Sequence, residues 1–217
     1  QNDKDDKISA SISQLNGKKI EKFSFKNKND VDAAISEIKN KKFQITDISS
    51  KVISRNPSGP FTTSTLQQVA SSRLGFGASR TMQIAQKLYQ GIEIDGETIG
   101  LITYMRTDGT NLSADAISDF RNFIKNKYGE EYVPENPLNY SGKKAKNAQE
   151  AHEAIRPTDI IRSPDSVKKY LSPDQQKLYN LIWSRALSSQ METAKFDRNT
   201  ITISSEDNQT ICKTSGS

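Results

Sequence analysis

A tyrosine followed closely by an arginine is the feature of this 217-residue sequence that most directly suggests chemistry. Tyr104 ends the largely apolar segment 99–104, which we predict to be a buried strand, and it precedes Arg106, Thr107 and Asp108. A guanidinium presents a planar set of N–H donors that fits phosphate oxygens. A phenol, whose pKa is about 10, needs a nearby cation or proton acceptor before it can act as a nucleophile. A strand end of this composition therefore predicts a phosphodiester site.

The same pattern also has a structural interpretation. The ring of Tyr104 would pack against its surroundings, while Arg106 and Asp108 would form an ion pair on the surface. Attack by the phenol on a phosphodiester would conserve the bond energy in a phosphotyrosine, so that rejoining would need no ATP. Taken alone, however, the pattern favours the structural interpretation.

The only histidine of the chain lies in the segment 148–159, which is rich in charged and amide side chains. His152 is followed by Glu153, a pairing found in metalloproteases. The second histidine of the H-E-x-x-H motif is absent, which excludes that class. A single histidine beside Glu153 and Arg156 more often forms hydrogen bonds than catalyses, so this segment leaves the function open.

Composition and charge exclude several classes of protein. The net charge is +5, and residues 1–58 carry 12 Lys and Arg against 8 Asp and Glu, whereas residues 59–193 carry 16 against 15. This excess suits a polyanionic partner and a solvated surface equally well. The single cysteine, Cys212, excludes an internal disulfide, and we expect it to be a small apolar strand residue. Because no apolar segment approaches the roughly 20 residues of a membrane helix, we expect a cytoplasmic protein without membrane contact.

Strand-like segments at both ends enclose a helix-rich middle. At the N-terminal end, Asn16-Gly17 predicts a hairpin, and Asn29 or Asp30 could cap a helix, after which residues 43–48 alternate with a period of two. Residues 195–213 alternate again. The Pro- and Gly-rich segment 55–60 is the strongest candidate boundary. We therefore expect an α+β fold in which a helix-rich domain interrupts a β-rich domain.

The middle section begins with two short helices. Thr63 or Ser64 would cap the first, which Gly75 would end, and Ser79 would cap the second. This spacing suggests a helix-turn-helix, although an ordinary helical hairpin is the commoner structure. The further predicted elements are a hairpin at Asp95-Gly96, the strand 99–104, a helix from Ser113 to about Tyr128 and a helix that begins at Ser172-Pro173.

Three motifs in this order resemble those of bacterial type IA DNA topoisomerases. Residues 102–108, Ile-Thr-Tyr-Met-Arg-Thr-Asp, resemble the signature around the nucleophile of that family. Residues 148–157 resemble its second motif, Ala-Gln-Glu-Ala-His-Glu-Ala-Ile-Arg-Pro, and residues 60–77 resemble a further helical segment. The resemblance covers residues 59–193 strongly and both flanks loosely. It turns the ambiguous tyrosine pattern into a specific prediction.

The resemblance implies a role for each residue near the tyrosine. Tyr104 would attack a phosphodiester of single-stranded DNA and hold the 5′ phosphate covalently. Arg106 would bind the scissile phosphate and stabilise its developing charge. Thr103 and Thr107 would order the DNA backbone. Gly109 stands where many members of the family have Ser, so this chain lacks that hydroxyl.

Two residues of the second motif are implied to contact DNA. His152 would lie near the bound strand and form hydrogen bonds or handle a proton. Arg156 would support phosphate contacts or the local fold. Met105 resembles the topoisomerase I pattern, since topoisomerase III relatives tend to have Pro after the tyrosine.

The resemblance also implies a domain organisation. Residues 59–193 would form a helix-rich, winged-helix-like tyrosine domain, inserted between two halves of a β-rich arch domain at residues 1–58 and 194–217. The whole enzyme would relax negatively supercoiled DNA through transient single-strand cleavage, strand passage and religation without ATP. Its Mg²⁺ would be bound by an acidic cluster in a separate Toprim domain, since the D-x-D formed by Asp3 and Asp5 lies in a polar tail.

Both ends of the sequence suggest a fragment that lacks the Toprim and fourth domains, so we expect no metal in it and no activity from it alone. Two other functions make different demands on the sequence. A non-enzymatic DNA-binding module would use the predicted helix-turn-helix of residues 64–90. A tyrosine recombinase would need several further Arg and His residues around its nucleophile, which this sequence does not supply.

Overall fold

The computed structural model of the protein describes residues 8–140 and 153–217, which fold as two compact units. One unit combines the residues up to Arg55 with Lys195–Ser217, and the other comprises Asn56–Ala194. His152, together with Asp3 and Asp5, lies outside the described residues. Within the described part of the chain, no helix is long and apolar enough to cross a membrane.

The first unit is built on a five-stranded sheet. Its strands are β1 (Ser11–Leu15), β2 (Lys18–Lys19), β3 (Phe43–Arg55), β6 (Ala194–Ser205) and β7 (Ile211–Gly216), in the spatial order β2-β1-β7-β6-β3. β7 pairs antiparallel with both β1 and β6, so strands from the two ends of the sequence form one sheet. Cys212 lies half-buried in β7, where burial raises the pKa of its thiol.

The predicted hairpin of this unit is confirmed. Asn16 and Gly17 have φ angles of 51° and 72°, and both central residues of a type I′ turn require positive values. Helix α1 (Lys28–Lys39) begins earlier than the sequence indicated. Its N-cap is Asn27, whose side chain accepts a hydrogen bond from the backbone N–H of Asp30, so the prediction of a cap at 29 or 30 is wrong.

Two helices open the second unit, and the sequence placed both start points too late. Helix α2 (Thr63–Leu74) is capped by Thr62, which forms a capping box with Thr65. It ends at Gly75, whose φ of 69° is the left-handed conformation that glycine adopts without strain. Helix α3 (Ala78–Gln90) begins after Gly77 with no side-chain cap, so Ser79 does not cap it.

The remaining elements of this unit agree with the sequence, apart from one strand. They are the hairpin β4 (Ile92–Ile94) and β5 (Glu97–Ile99), helix α4 (Ala114–Tyr128) capped by Ser113, and helix α5 (Pro173–Ser188) capped by Ser172. Helices α2 and α3 pack against each other and against α5. The core between them contains the fully buried side chains of Phe61, Leu66, Leu88, Leu101, Ile102, Met105, Ile155, Leu178 and Ile182.

The predicted strand over residues 99–104 is wrong. β5 ends at Ile99, and the following segment has only one isolated bridge, between Ile102 and Pro157. Proline has no N–H to extend a ladder. The backbone N–H groups of this segment instead donate to separate parts of the fold. The N–H of Leu101 donates to the carbonyl of Leu88 in the last turn of α3, and that of Thr103 donates to the carbonyl of Arg156. Tyr104 therefore lies outside any strand.

Candidate active site around Tyr104

The segment around Tyr104 alternates between exposed and buried side chains. Met105 and Thr107 are buried, whereas Tyr104 and Arg106 are exposed. The buried residues anchor the segment, while the phenol and the guanidinium both line the same surface cleft. Half of the Tyr104 surface is accessible. This alternation brings the two predicted catalytic side chains together.

The N-terminus of α2 holds the segment just after the tyrosine. The Oγ1 of Thr63 donates to the carbonyl of Met105 at 2.7 Å and accepts from the N–H of Thr107 at 2.8 Å. The N–H of Thr63, which has no partner inside its own helix, donates to the carbonyl of Thr107 at 2.9 Å. Thr63 therefore fixes the backbone on both sides of Arg106 and is not available as the helix cap that its sequence position suggested.

Thr103 holds the segment from the other direction. Its Oγ1 donates to the carbonyl of Ala154 at 2.7 Å and accepts from the N–H of Arg156 at 3.0 Å. Its own N–H donates to the carbonyl of Arg156 at 2.9 Å. The Thr107 hydroxyl accepts from the N–H of Gly109 at 3.0 Å. Both threonine hydroxyls predicted to order DNA thus bond to the protein backbone.

The side chain of Arg156 binds Glu153. Its Nε and Nη2 donate to the two carboxylate oxygens at 2.7 and 3.2 Å, and its Nη1 donates to the carbonyl of Pro157. Glu153 also accepts from the N–H of Ser113 at the start of α4. Burial disfavours the ionised carboxylate, but the hydrogen bonds from Arg156 and Ser113 outweigh it and lower the pKa of Glu153. Arg156 is predicted either to contact phosphate or to support the local fold. Its hydrogen bonds to Glu153 and Pro157 suit the second role.

The depressed pKa of Glu153 makes part of the stability of this unit depend on pH. A carboxyl whose pKa is lower in the folded state stabilises the fold above its ordinary pKa of 4.5, and this contribution is lost as the pH falls below that value. We expect Glu153→Gln to reduce the free energy of unfolding by about 1 kcal/mol at pH 7, since the pair is partly solvent-screened. Urea titrations at pH 7 and pH 3.5 should show the difference shrinking at the lower pH. Glu97→Gln, at an exposed position of β5, is the control.

A cleft of about 390 Å³ surrounds the exposed tyrosine. Tyr89, Thr103, Tyr104, Arg106, Thr107 and Glu153 line it. The rings of Tyr89 and Tyr104 meet edge to face, with centroids 5.3 Å apart. Among the described residues, no hydrogen bond or ion pair engages the Tyr104 hydroxyl or the Arg106 guanidinium. No described residue therefore occupies either group, and both face the cleft.

Sequence reasoning missed three residues of this arrangement. Tyr89 and Thr63 reach the site from α3 and α2, which are distant in sequence, and no local pattern around them indicates this position. Glu153 stands beside His152 in a segment that the sequence did single out, but its pairing with Arg156 depends on the local backbone conformation, which spacing alone does not predict.

The described residues contain no cluster of three or more His, Cys, Asp or Glu side chains placed to hold a metal ion. The carboxylate of Glu153 in the cleft is already bonded to Arg156. This donor set does not fit a magnesium site.

A family model described as DNA topoisomerase matches residues 3–217, and its match includes every residue of this cleft. The chain is a member of the bacterial type IA DNA topoisomerase family. DNA topoisomerase 1 of Rickettsia felis is 48% identical over 217 residues, which are 100% of this chain and 28% of that protein. DNA topoisomerase 1 of Xylella fastidiosa is 48% identical over 188 residues, which are 85% of this chain and 23% of that protein.

A solved structure gives the same assignment to this topoisomerase family. The full-length topoisomerase I from Thermotoga maritima aligns with a TM-score of 0.72 at 37% identity, over 95% of this chain and 31% of that one. Its mixture of helices and sheets agrees with the α+β class expected from the sequence. The chain thus spans less than a third of the length of each of these topoisomerases.

Proposed function

We propose that this chain carries the DNA-cleaving tyrosine of a type IA topoisomerase, and that Tyr104 is the nucleophile. The observation that carries the proposal is the exposed Tyr104 hydroxyl, on a backbone held by Thr63 and Thr103 beside Arg106. Neither the phenol nor the guanidinium has a polar partner among the described residues. A nucleophile held in this way loses little freedom when a phosphodiester enters the cleft. The family membership supports DNA as the substrate.

In the proposed reaction, the Tyr104 oxygen attacks the phosphorus of a single-stranded DNA backbone and the bond to the 3′ oxygen breaks. The phenol loses its proton, and the departing 3′ oxygen gains one. One phosphodiester is exchanged for another on the 5′ phosphate, so the reverse attack by the 3′ hydroxyl restores the strand without ATP. Passage of a second strand through the break would relax negatively supercoiled DNA.

Arg106 is proposed to bind the scissile phosphate. It lies two residues after Tyr104 and lines the same cleft. Its guanidinium can donate to two phosphate oxygens at once and offset the negative charge that develops there during attack. Thr103 and Thr107 act as positioning residues through their backbone contacts, and His152 and Arg156 remain proposed neighbours of the bound strand.

The remaining parts of the catalytic apparatus are proposed to lie outside this chain. Because the acidic groups described here do not fit a metal site, we assign the Mg²⁺ ligands to a Toprim domain, with a fourth domain completing the enzyme. Both would belong to a longer polypeptide, referred to below as the full-length enzyme, acting on single-stranded DNA in the cytoplasm. The share of the relatives' length that this chain spans supports this division.

We also propose domain identities for the two units. The packing of α2 on α3, followed directly by the β4–β5 hairpin, supports a winged-helix-like tyrosine domain over residues 59–193. The sheet that combines β1, β6 and β7 supports assigning residues 1–58 and 194–217 to one β-rich arch domain.

The assignment of the nucleophile can be tested by mapping the covalent link. The full-length enzyme is incubated with a single-stranded oligonucleotide, denatured to trap the adduct, and digested with nuclease and trypsin. The tryptic peptide 88–106 contains both Tyr89 and Tyr104 and no other tyrosine. Tandem mass spectrometry should locate the nucleotide remnant on Tyr104. A remnant on Tyr89, or on another peptide, would refute the assignment.

We expect the isolated 217-residue chain not to relax supercoiled plasmid, with or without added magnesium. The reason is that it holds the nucleophile and one arginine but no described metal site. Agarose-gel relaxation assays compare the chain with the full-length enzyme at equal molar concentration. Relaxation by the purified chain would contradict the proposed division of the active site.

A further inference from the structure

A second and larger groove adjoins the tyrosine cleft. Its volume is about 840 Å³, and the residues that line it are Ser79, Arg80, Met82, Gln83, Ile84, Gln86, Lys87, Gln90, Arg106 and Asp174. All but Arg106 and Asp174 belong to helix α3. Arg106 also lines the cleft of Tyr104, so the groove and the cleft share one side chain that is proposed to bind the scissile phosphate.

The exposed side of α3 presents a regular polar stripe to this groove. Ser79, Gln83, Lys87 and Gln90 recur at spacings of four, four and three residues, which places them on one side of the helix. All four are exposed. Their Cα atoms span about 16 Å at the helical rise per residue, which is long enough for more than one backbone phosphate.

The charge of the groove favours an anionic occupant. Its only acidic lining residue, Asp174, accepts from Arg80 at 2.6 Å, and this pair compensates both charges. Within the part of the chain that the structure describes, neither Lys87 nor Arg106 forms an ion pair. Two positive charges and a row of amide donors are therefore left for the ligand. Lysine, glutamine and serine are side chains that contact DNA phosphates without selecting a sequence.

We propose that this groove, with Gln83 and Lys87 at its centre, holds the backbone of single-stranded DNA on one flank of the phosphate bound at Tyr104. The inference rests on the proposed function, because the strand enters the groove from the tyrosine cleft through Arg106. The contacts are to phosphates, so binding is independent of sequence and weakens with salt. The groove positions the strand and takes no part in bond cleavage.

Fluorescence anisotropy with dye-labelled oligo-dT of 4 and 16 nucleotides tests the proposal on the 217-residue chain, and it requires no cleavage. The wild-type chain should bind the 16-mer more tightly than the 4-mer. Lys87→Gln should weaken 16-mer binding about three- to tenfold and reduce the slope of log affinity against log salt by about 0.7. Gln83→Glu, which introduces a carboxylate one turn before Lys87, should weaken binding further.

Lys127→Gln is the matched control. Like Lys87, Lys127 is an exposed lysine in the last turn of its helix, but it lies on α4 and lines neither the groove nor the tyrosine cleft. Its substitution should change affinity less than twofold. Circular dichroism of each variant checks that the helices are intact.

Several results would overturn the groove assignment. The wild-type chain could bind both oligonucleotides with equal affinity, or bind neither. Lys87→Gln and Lys127→Gln could weaken binding equally. A polyglutamate peptide of the same charge could displace the 16-mer at the same concentration. None of them bears on the covalent link. A remnant mapped to another tyrosine would instead refute the proposed function and leave the binding result standing.

Discussion

Tyr104→Phe should reduce formation of the covalent DNA adduct by the full-length enzyme by at least about three orders of magnitude, since loss of a nucleophile removes the reaction path itself. The variant lacks only the phenolic oxygen. Adduct formation is measured with an end-labelled oligonucleotide, as the fraction of label that remains attached to protein after denaturation. Supercoil relaxation should fall in parallel.

The same substitution should leave the fold intact, because the Tyr104 hydroxyl forms no hydrogen bond among the described residues. The edge-to-face contact with Tyr89 depends on the ring, which phenylalanine retains. We therefore expect the free energy of unfolding to change by no more than about 0.5 kcal/mol, the range typical of exposed positions. A loss of adduct with unchanged stability separates a chemical role from a structural one.

Tyr132→Phe provides the control for removal of a hydroxyl. Tyr132 is similarly exposed and packs edge to face against Tyr128, but it does not line the tyrosine cleft. Its variant should form the adduct at the wild-type rate. Normal adduct formation by Tyr104→Phe would eliminate Tyr104 as the nucleophile, and equal losses in the two variants would point to a general disturbance of the unit.

The elements that could be predicted from sequence are those specified by local patterns. Helix α5 has an apolar period, a Ser172 cap and Pro173 at its first position, and α4 begins at Ser113 as expected. The hairpin turns at Asn16 and Asp95 likewise follow from residues that tolerate positive φ angles. In each case the stabilising contacts lie within a few residues of one another.

The conformation of the segment that carries the proposed nucleophile depends on contacts that are distant in sequence. Its apolar composition is equally compatible with a strand, and only the positions of Leu88, Pro157 and Thr63 in the fold decide where its hydrogen bonds go. The same is true of the cleft, because Tyr89 and Glu153 reach it from separate elements. The motifs indicate Tyr104 and Arg106 as candidates, but they contain no information on how the backbone between them is held.

The substitution Ile102→Ala tests whether packing beneath the tyrosine holds it in place. Ile102, two residues before Tyr104, is 1% exposed and lies in the core of the second unit. Its backbone forms an isolated β-bridge with Pro157. Truncation of a buried isoleucine leaves a cavity, and we expect the free energy of unfolding to fall by about 2–5 kcal/mol. Trp183, the only tryptophan, is buried in the same core and reports unfolding by fluorescence in a urea titration.

Two control substitutions test whether the loss of stability depends on the buried volume that is removed. Ile102→Val should cost only about 0.5–1.5 kcal/mol, and Ile161→Ala, at a position 74% exposed, should change stability by no more than about 0.5 kcal/mol. Because a displacement of about 1 Å can slow catalysis up to ~100-fold, Ile102→Ala should also slow adduct formation by the full-length enzyme at temperatures where it remains folded. If the Ile102→Ala chain has the same urea midpoint of unfolding as the wild type, packing at Ile102 does not stabilise the unit, and the tyrosine segment is held by its hydrogen bonds alone.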